Sequence, residues 1–239
     1  MKLHTTPLLT LLALLLCCIS LARCKKHHDP SKSGRLTQEI TASAITAIAA
    51  HQAITVRYTQ ADGAPRVTLT CPDGMQDQLD VHVSGTTLVA AYRGGANVAE
   101  RGVEVVVTAP AVGSFTATTA ATIAIADGVN IAGDVTLSAS TAGSIKAGSL
   151  KCQDLKVDAT TSALIKVGSL DCYNLTGKAS TAAVISIEGT TQTSTVSQDT
   201  GGEVRLPHVG GASHSTAPAR EVKEEKAETA PAENEGKAE

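Results

Sequence analysis

An all-β chain folded as a parallel β-helix or similar solenoid, with about 20 residues per coil and an N-terminal set of strands before it, is what the sequence predicts. Three observations point there. Aromatic residues are only 2% of the 239, three Tyr and one Phe with no Trp, while hydrophobic residues reach 42%. The interior must therefore be filled by many small aliphatic side chains stacked regularly. The second half of the chain divides into blocks of twenty residues that repeat one another's pattern. Within a block the apolar positions alternate, as in Val135, Leu137, Ala139 and Leu155, Val157, Ala159, which is the period of a strand with one face buried.

Residues 115–134 read FTATTAATIAIADGVNIAGD, 135–154 VTLSASTAGSIKAGSLKCQD, 155–174 LKVDATTSALIKVGSLDCYN and 175–194 LTGKASTAAVISIEGTTQTS. No gap is introduced across these four blocks, and a degenerate fifth starts at Thr195 and decays through Leu206 and Val209. In this alignment Ile125, Ile145, Ile165 and Ile185 share a column, Gly128, Gly148 and Gly168 a second, and Asp134, Asp154, Asn174 and Ser194 a third. Three short strands per block are implied, with Gly and clusters such as Ser140-Thr141-Ala142-Gly143 as corners. Equivalent residues of successive coils would then stack ~4.8 Å apart. A leucine-rich repeat is excluded by the missing Leu scaffold and Asn ladder, and a calcium-binding nonapeptide repeat by the absence of Gly-Gly-x-Gly-x-Asp.

Upstream, the region 36–110 reads as separate strands at 53–59, 66–71, 79–83, 87–92 and 103–108, divided by Asp62-Gly63, Asp73-Gly74, Ser84-Gly85 and Gly94-Gly95. Residues 80–89 read as a hairpin. These strands are expected to cap or continue the N-terminal end of the solenoid, because an open end exposes unpaired edges. The solenoid repeats themselves occupy 111–209.

The ends differ in kind. Residues 1–23 read as a signal peptide, for Lys2 precedes a mainly apolar stretch, 8–22, that is shorter than the ~20 residues a membrane-spanning helix needs. Two processing readings stay open: cleavage after Ala22, or lipid attachment at Cys24. Leu21-Ala22-Arg23-Cys24 resembles a bacterial lipobox, apart from Arg23 where a small residue is usual. Residues 24–35 form a polar tether suited to such an anchor. Residues 210–239 read as a disordered acidic tail; from Thr216 onward four basic residues face seven Glu. Between these ends, 36–215 holds ten basic and fifteen acidic residues. With a formal net charge of -3, no basic patch and no stacking platform of aromatic residues, a nucleic-acid partner is excluded.

The strands at 54–60, 66–72, 79–83, 85–89 and 105–110, in this order and followed by the repeats, resemble the putative auto-transporter adhesin head GIN domain, a family common in exported proteins of Bacteroidetes-like bacteria. The resemblance spans roughly 36–209 and implies a β-solenoid-like exported domain with an adhesive role. Family members often repeat Ser-Gly-Ser-Gly at their corners. Here the corners read Ser138-Ala139-Ser140-Thr141, Asp158-Ala159-Thr160-Thr161 and Lys178-Ala179-Ser180-Thr181, which implies stiffer turns. The family carries no catalytic or ligand residues onto this chain.

Candidate chemistry is sparse. Cys152 and Cys172 are twenty apart and hence stacked in adjacent coils, within the Cα separation a disulfide needs; a disulfide and a pair of buried thiols both fit. Cys71 is left without a partner in either case unless Cys24 stays unmodified. Stacked Asp134 and Asp154, continued by Asn174, suit a shared cation or an acid/base pair, but equally a corner whose side chains bond their own backbone. Lys146 above Lys166, and Lys151 beside Asp171, read as a solvated face. His27 and His28 in the tether, and His208 and His214 around Gly210-Gly211, lack the thiol neighbours or spacing of a metal site. No Gly-x-Ser-x-Gly, phosphate loop or His-Glu-x-x-His is present, so no catalytic, cofactor or metal residue is assigned and no enzyme is expected.

The reading is an exported, non-enzymatic binding or adhesion-like module, tethered to the membrane of a bacterial envelope by an N-terminal lipid and placed at the outer membrane or cell surface; periplasmic or secreted placement is the alternative. Its partner is a glycan or an envelope protein met by Thr/Ser-rich sheet faces. A structural spacer or envelope-sensing protein is the competing class, and a carbohydrate-active enzyme the third.

Overall fold

The computed structural model describes residues 34–94 and 102–206, and beyond them the backbone course of 208–209 and 215–218. The signal, nearly all of the tether including Cys24, and most of the acidic tail lie outside the described residues, as do His27, His28 and His214. Among the described residues, every element apart from one 3-10 turn at Gln76–Gln78 is a strand, and all eighteen join one hydrogen-bonded sheet system. In chain order these are β1 (Arg35–Ile40), β2 (Ala47–Ala50), β3 (Thr55–Gln60), β4 (Arg66–Pro72), β5 (Leu79–Ser84), β6 (Thr87–Tyr92), β7 (Glu104–Ala109), β8 (Ser114–Thr118) and β9 (Thr122–Ile125). They continue as β10 (Val129–Asn130), β11 (Val135–Ser140), β12 (Ser144–Lys151), β13 (Asp154–Ala159), β14 (Leu164–Ala179), β15 (Val184–Gln198), β16 (Glu203–Arg205), β17 (His208–Val209) and β18 (Ser215–Pro218).

The parallel pairings sort these strands onto three faces of a solenoid. The first face stacks β6, β2, β8, β11, β13, the last stretch of β14, the last stretch of β15, and β18. The second stacks β7, β3, β9 and the opening stretches of β12, β14 and β15, then β16. A short third face carries β10, the later part of β12, the middles of β14 and β15, and β17. Side chains alternate in and out along each strand, so the inward columns form a continuous core. One runs Ile48, Phe115, Leu137, Val157; another runs Val56, Ile123, Ile145, Ile165, Ile185. Every one of these is buried.

The corner from first to second face explains how Thr and Ala can stand where tight turns usually recruit Asn-Gly. Six such corners place two consecutive residues at positive φ, five of them without glycine: Gln52-Ala53, Thr119-Ala120, Thr141-Ala142, Thr161-Ser162 and Thr181-Ala182, with Thr200-Gly201 the sixth. An L-residue in this region costs roughly 1–2 kcal/mol. Two sets of backbone bonds offset the cost. Corners close on themselves, as in Ala121 N–H to Thr118 O at 3.1 Å and Gly143 N–H to Ser140 O at 2.9 Å. The second turn residue also donates to the next coil: Ala53 to Thr119 O, Ala120 to Thr141 O, Ala142 to Thr161 O, Ser162 to Thr181 O and Ala182 to Thr200 O, at 2.9–3.2 Å. Just before each of the five glycine-free corners the last inward position is alanine, in a column Ala50, Ala117, Ala139, Ala159, Ala179 that Ala90 extends toward the cap; before the sixth corner Gln198 takes this place. Its small side chain lets the chain cross between faces without opening the core.

The gapless twenty-residue alignment holds only in part. Between β11 and β13 the register is twenty, Leu137 beside Val157. One coil earlier it is twenty-two, Phe115 beside Leu137 and Ile123 beside Ile145. One extra residue sits in the corner around Asp127-Gly128 and another in the segment 131–134. Ile125 therefore stacks on Ala147 rather than Ile145, and Gly128 lies by Ser149, whose Oγ accepts its N–H at 2.6 Å, rather than by Gly148. The next step loses a residue: Leu170 pairs with Gly189 and Asn174 with Thr193, so Ser194 faces Leu175 inside the core and Thr193 takes over its expected column. Gly189 permits this shortened corner. It adopts φ 122, and a Cβ there would sit 2.2 Å from Leu170 O.

The upstream strands both continue and cap the solenoid. Residues 47–60 form a coil of their own, with β2 between β6 and β8 and β3 between β7 and β9. The chain then leaves to build the cap. β4 pairs antiparallel with β7 and carries β1 on its other edge, while β5 pairs antiparallel with β6, which makes the expected hairpin. Sequence periodicity missed β1 and β2. Arg35, assigned to the tether, already pairs with Pro72 in β1. Tyr58 and Phe115 pack together in the core, their ring centroids 5.3 Å apart, and the Tyr58 hydroxyl donates to Ala109 O at 3.2 Å. Burial pushes the Tyr58 phenol above its ordinary range.

Replacing the exposed corner pair Thr161-Ser162 by Asn-Gly, through Thr161→Asn with Ser162→Gly, removes the strain while keeping the bond from the residue-162 N–H to Thr181 O. Denaturant unfolding should show a gain of about 1 kcal/mol; an unchanged or lower midpoint would show that these corners are not strained.

Candidate functional site

Coil stacking turns single side chains into columns, and the columns with the richest chemistry meet where the third face turns into the first. Asp154 stacks on Asn174, and Asn174 on Thr193. Asn174 Nδ2 donates to Asp154 Oδ1 at 2.7 Å, and Thr193 Oγ1 donates to Asn174 Oδ1 at 2.5 Å. This chain of bonds fixes the orientation of the amide. Asp134 extends the column, and together with Thr136, Lys156, Thr176 and Thr195 it borders an open groove of about 520 Å³. On the third-face side Lys151 Nζ donates to Asp171 Oδ2 at 2.7 Å, both side chains being mostly exposed. That hydrogen bond, with the carboxylate charge behind it, holds the Lys151 ammonium above its ordinary range. A second groove, about 260 Å³, runs beside this ion pair past Asn130, Ser149 and Ser169.

Behind this corner lie the two thiols. Cys152 and Cys172 are buried, one coil apart. Their mutual hydrogen bond raises the Cys152 thiol and lowers that of Cys172 to about 7; burial opposes the second effect, and the Thr191 hydroxyl adds to it. Cys172 Sγ lies 3.5 Å from Thr191 Oγ1. Cys71 sits far away in the cap, buried under β1, where burial lifts its thiol despite the nearby Arg35. Lys146 and Lys166 do stack, but on the second face. Among the described residues no group of three or more His, Cys, Asp or Glu is arranged to hold a metal ion.

Sequence reasoning missed one residue here. Of the four aromatic side chains, Tyr58, Tyr92 and Phe115 are buried, whereas Tyr173 is 56% exposed. It projects from the corner between Cys172 and Asn174, and the strand alternation that turns Cys172 inward would have revealed it. Two further grooves lie toward the capped end. One of about 670 Å³ is bordered by residues 39–42, 64–68, Val106 and Thr108. The other, about 460 Å³, contains Arg35, whose Nη2 donates to Gly102 O at 2.9 Å, and the Arg57–Glu104 ion pair.

The order of elements, cap strands first and stacked coils after, is matched over residues 44–210 by the family model described as putative auto-transporter adhesin, head GIN domain. The chain belongs to that family. Solved structures share the GIN-domain fold at low identity. A putative adhesin from Bacteroides fragilis is 15% identical, with a TM-score of 0.55 over 79% of this chain and 96% of its own. A putative adhesin from Parabacteroides distasonis is 16% identical, with a TM-score of 0.53 over 74% of this chain and 77% of its own. No curated protein matches the sequence. At such identities these likenesses show the fold of this GIN domain and leave its site to be argued from its own residues.

The thiol pair gives a direct check on the corner's geometry. In the reduced protein, ultraviolet thiolate absorbance should reveal a first titration near pH 7, and Thr191→Val, which removes a hydroxyl that lowers the Cys172 thiol, should move that midpoint upward. An unmoved midpoint would contradict the Thr191–Cys172 contact.

Proposed function

We propose that this GIN domain is an exported, envelope-anchored, non-enzymatic binding module of the adhesion type, which meets its partner through the outward columns of the solenoid. The observation that supports the reading is a set of hydroxyls the fold presents and does not use. Thr136, Thr176 and Thr195 stand in one outward column with Lys156, and Ser138 and Ser197 in the next with Asp158 and Lys178. None of these Thr and Ser hydroxyls takes a side-chain partner among the described residues. A spacer would be expected to satisfy its own surface, as Thr46 and Thr86 do at 2.7 Å. The grooves are open and shallow, which suits contact with a polymer or a partner surface better than enclosure of a reacting molecule.

Anchoring rests on Cys24 and the lipobox-like residues before it, followed by a tether that leads to β1. In an oxidising compartment the Cys152 and Cys172 thiols close as a disulfide, their two electrons and two protons passing to a disulfide oxidant. Membership of an adhesin-described family supports an exported or surface location.

Intact mass and detergent partitioning of the protein from its own host test both points. The expected result is a chain beginning at a lipid-modified Cys24, partitioning into detergent, and lighter by two hydrogens than its dithiol form. A lipid-free chain cut after Ala22 would remove the anchor, and alkylation of both Cys152 and Cys172 after denaturation, located by peptide mapping beside that of Cys71, would remove the disulfide.

A further inference from the structure

We propose that the corner at Tyr173 is a binding site for a neutral saccharide; this rests on the binding role proposed above and gives it a location and a ligand class. The chain carries only four aromatic residues. Three fill the core, and the fourth stands at the surface with 56% exposure. At the equivalent corner of the coil before it is Gln153, whose carbonyl accepts the Tyr173 N–H at 2.9 Å. The coil after it, in register through Cys172–Thr191 and Asn174–Thr193, places Gln192 there. The ring is thus bracketed along the solenoid axis by two exposed amide side chains, each about 4.8 Å away by strand spacing.

Polar groups flank it on the other two sides. Toward the first face lies the Asp154–Asn174–Thr193 ladder, in which Asp154 Oδ1 is engaged by Asn174 and Oδ2 has no partner among the described residues. Toward the third face lies the Lys151–Asp171 pair. An aromatic ring offers a face to the C–H side of a sugar. A carboxylate oxygen, amides and a hydroxyl fixed around it match the hydroxyl groups on the sugar's rim. Charge selects among saccharides: Asp134, Asp154 and Asp171 outnumber Lys151 and Lys156 here, so uronic or sialic acid units are disfavoured and neutral hexoses accepted. Backbone stacking holds the donors and acceptors in place, so little ordering is required on binding.

The test is titration of the mature full-length protein with neutral gluco-, manno- and galacto-hexaoses, and with polygalacturonate as the anionic counterpart. Tyrosine fluorescence reports on the site, because Tyr173 is the one solvent-facing aromatic. Binding of at least one neutral hexaose is expected, weakened at least tenfold by Tyr173→Ala and by Asp154→Ala, kept within about threefold by Tyr173→Phe, and unaffected by Lys166→Ala on the second face. Circular dichroism confirms that each variant folds. No neutral hexaose binding, preference for polygalacturonate, or binding indifferent to Tyr173→Ala would each overturn the inference. A parallel assay of adhesion to whole cells separates the two levels. Adhesion that survives Tyr173→Ala leaves the binding module standing without this site, whereas wild-type protein that neither adheres nor binds sugar removes both.

Discussion

Everything in this molecule depends on successive coils remaining in hydrogen-bonding register. A parallel strand pairs only if the chain returns, one coil later, to the same place one strand spacing further along. The corner between the first and second faces enforces that return. Its two positive-φ residues reverse the chain in the least length, and the second of them passes its N–H to the neighbouring coil. Non-glycine residues in that conformation are individually unfavourable. They are tolerated because the corners are held by their neighbours, through the N–H passed to the next coil, and in most cases also by a closing bond of their own. The alanine column beneath the five glycine-free corners is the packing side of the same constraint, since a small side chain there leaves room for the turn between two faces.

The polar ladders on the outside follow without further cause. Once coils are in register, a carboxylate, an amide and a hydroxyl at equivalent positions are brought within hydrogen-bonding distance, as in Asp154, Asn174 and Thr193. A lysine beside an aspartate in the next coil becomes an ion pair in the same way. The cap completes the logic at the N-terminal end: β1 and β5 form the outermost edges there, and they carry Arg35 and Glu39, and Asp80 and His82, charged or titratable groups that discourage further strand addition.

How far the sequence revealed this depended on how local each constraint is. The register between β11 and β13, the stacking of Lys146 on Lys166 and of Asp154 on Asn174 could be read directly, because those coils contain equal numbers of residues. The offsets at Asp127-Gly128, 131–134 and Gly189 could not. Corners absorb an added or lost residue without disturbing the alternation of the strands on either side, so the eye slides past them. The coil at 47–60 was hidden for a topological reason: the cap strands separate it in sequence from β8 and β9, which it pairs with. Tyr173 was legible in principle, for alternation places it outward beside inward Cys172, yet its significance appears only when the other three aromatic residues prove to be buried.

The offset between the coils at β8 and β11 is the most discriminating consequence of the stacked-coil register, and engineered disulfides measure it. Thr116 lies directly beside Ser138, twenty-two residues on, at about the 4.8 Å of neighbouring strands, whereas Thr136 lies diagonally from Thr116 at roughly 7–8 Å. Oxidation of Thr116→Cys with Ser138→Cys, followed by peptide mapping without reduction, should give the 116–138 crosslink in high yield. The pair Thr116→Cys with Thr136→Cys, at the twenty-residue spacing, should give little. The reverse yields would contradict the register from which the corners, the ladders and the Tyr173 site have been built.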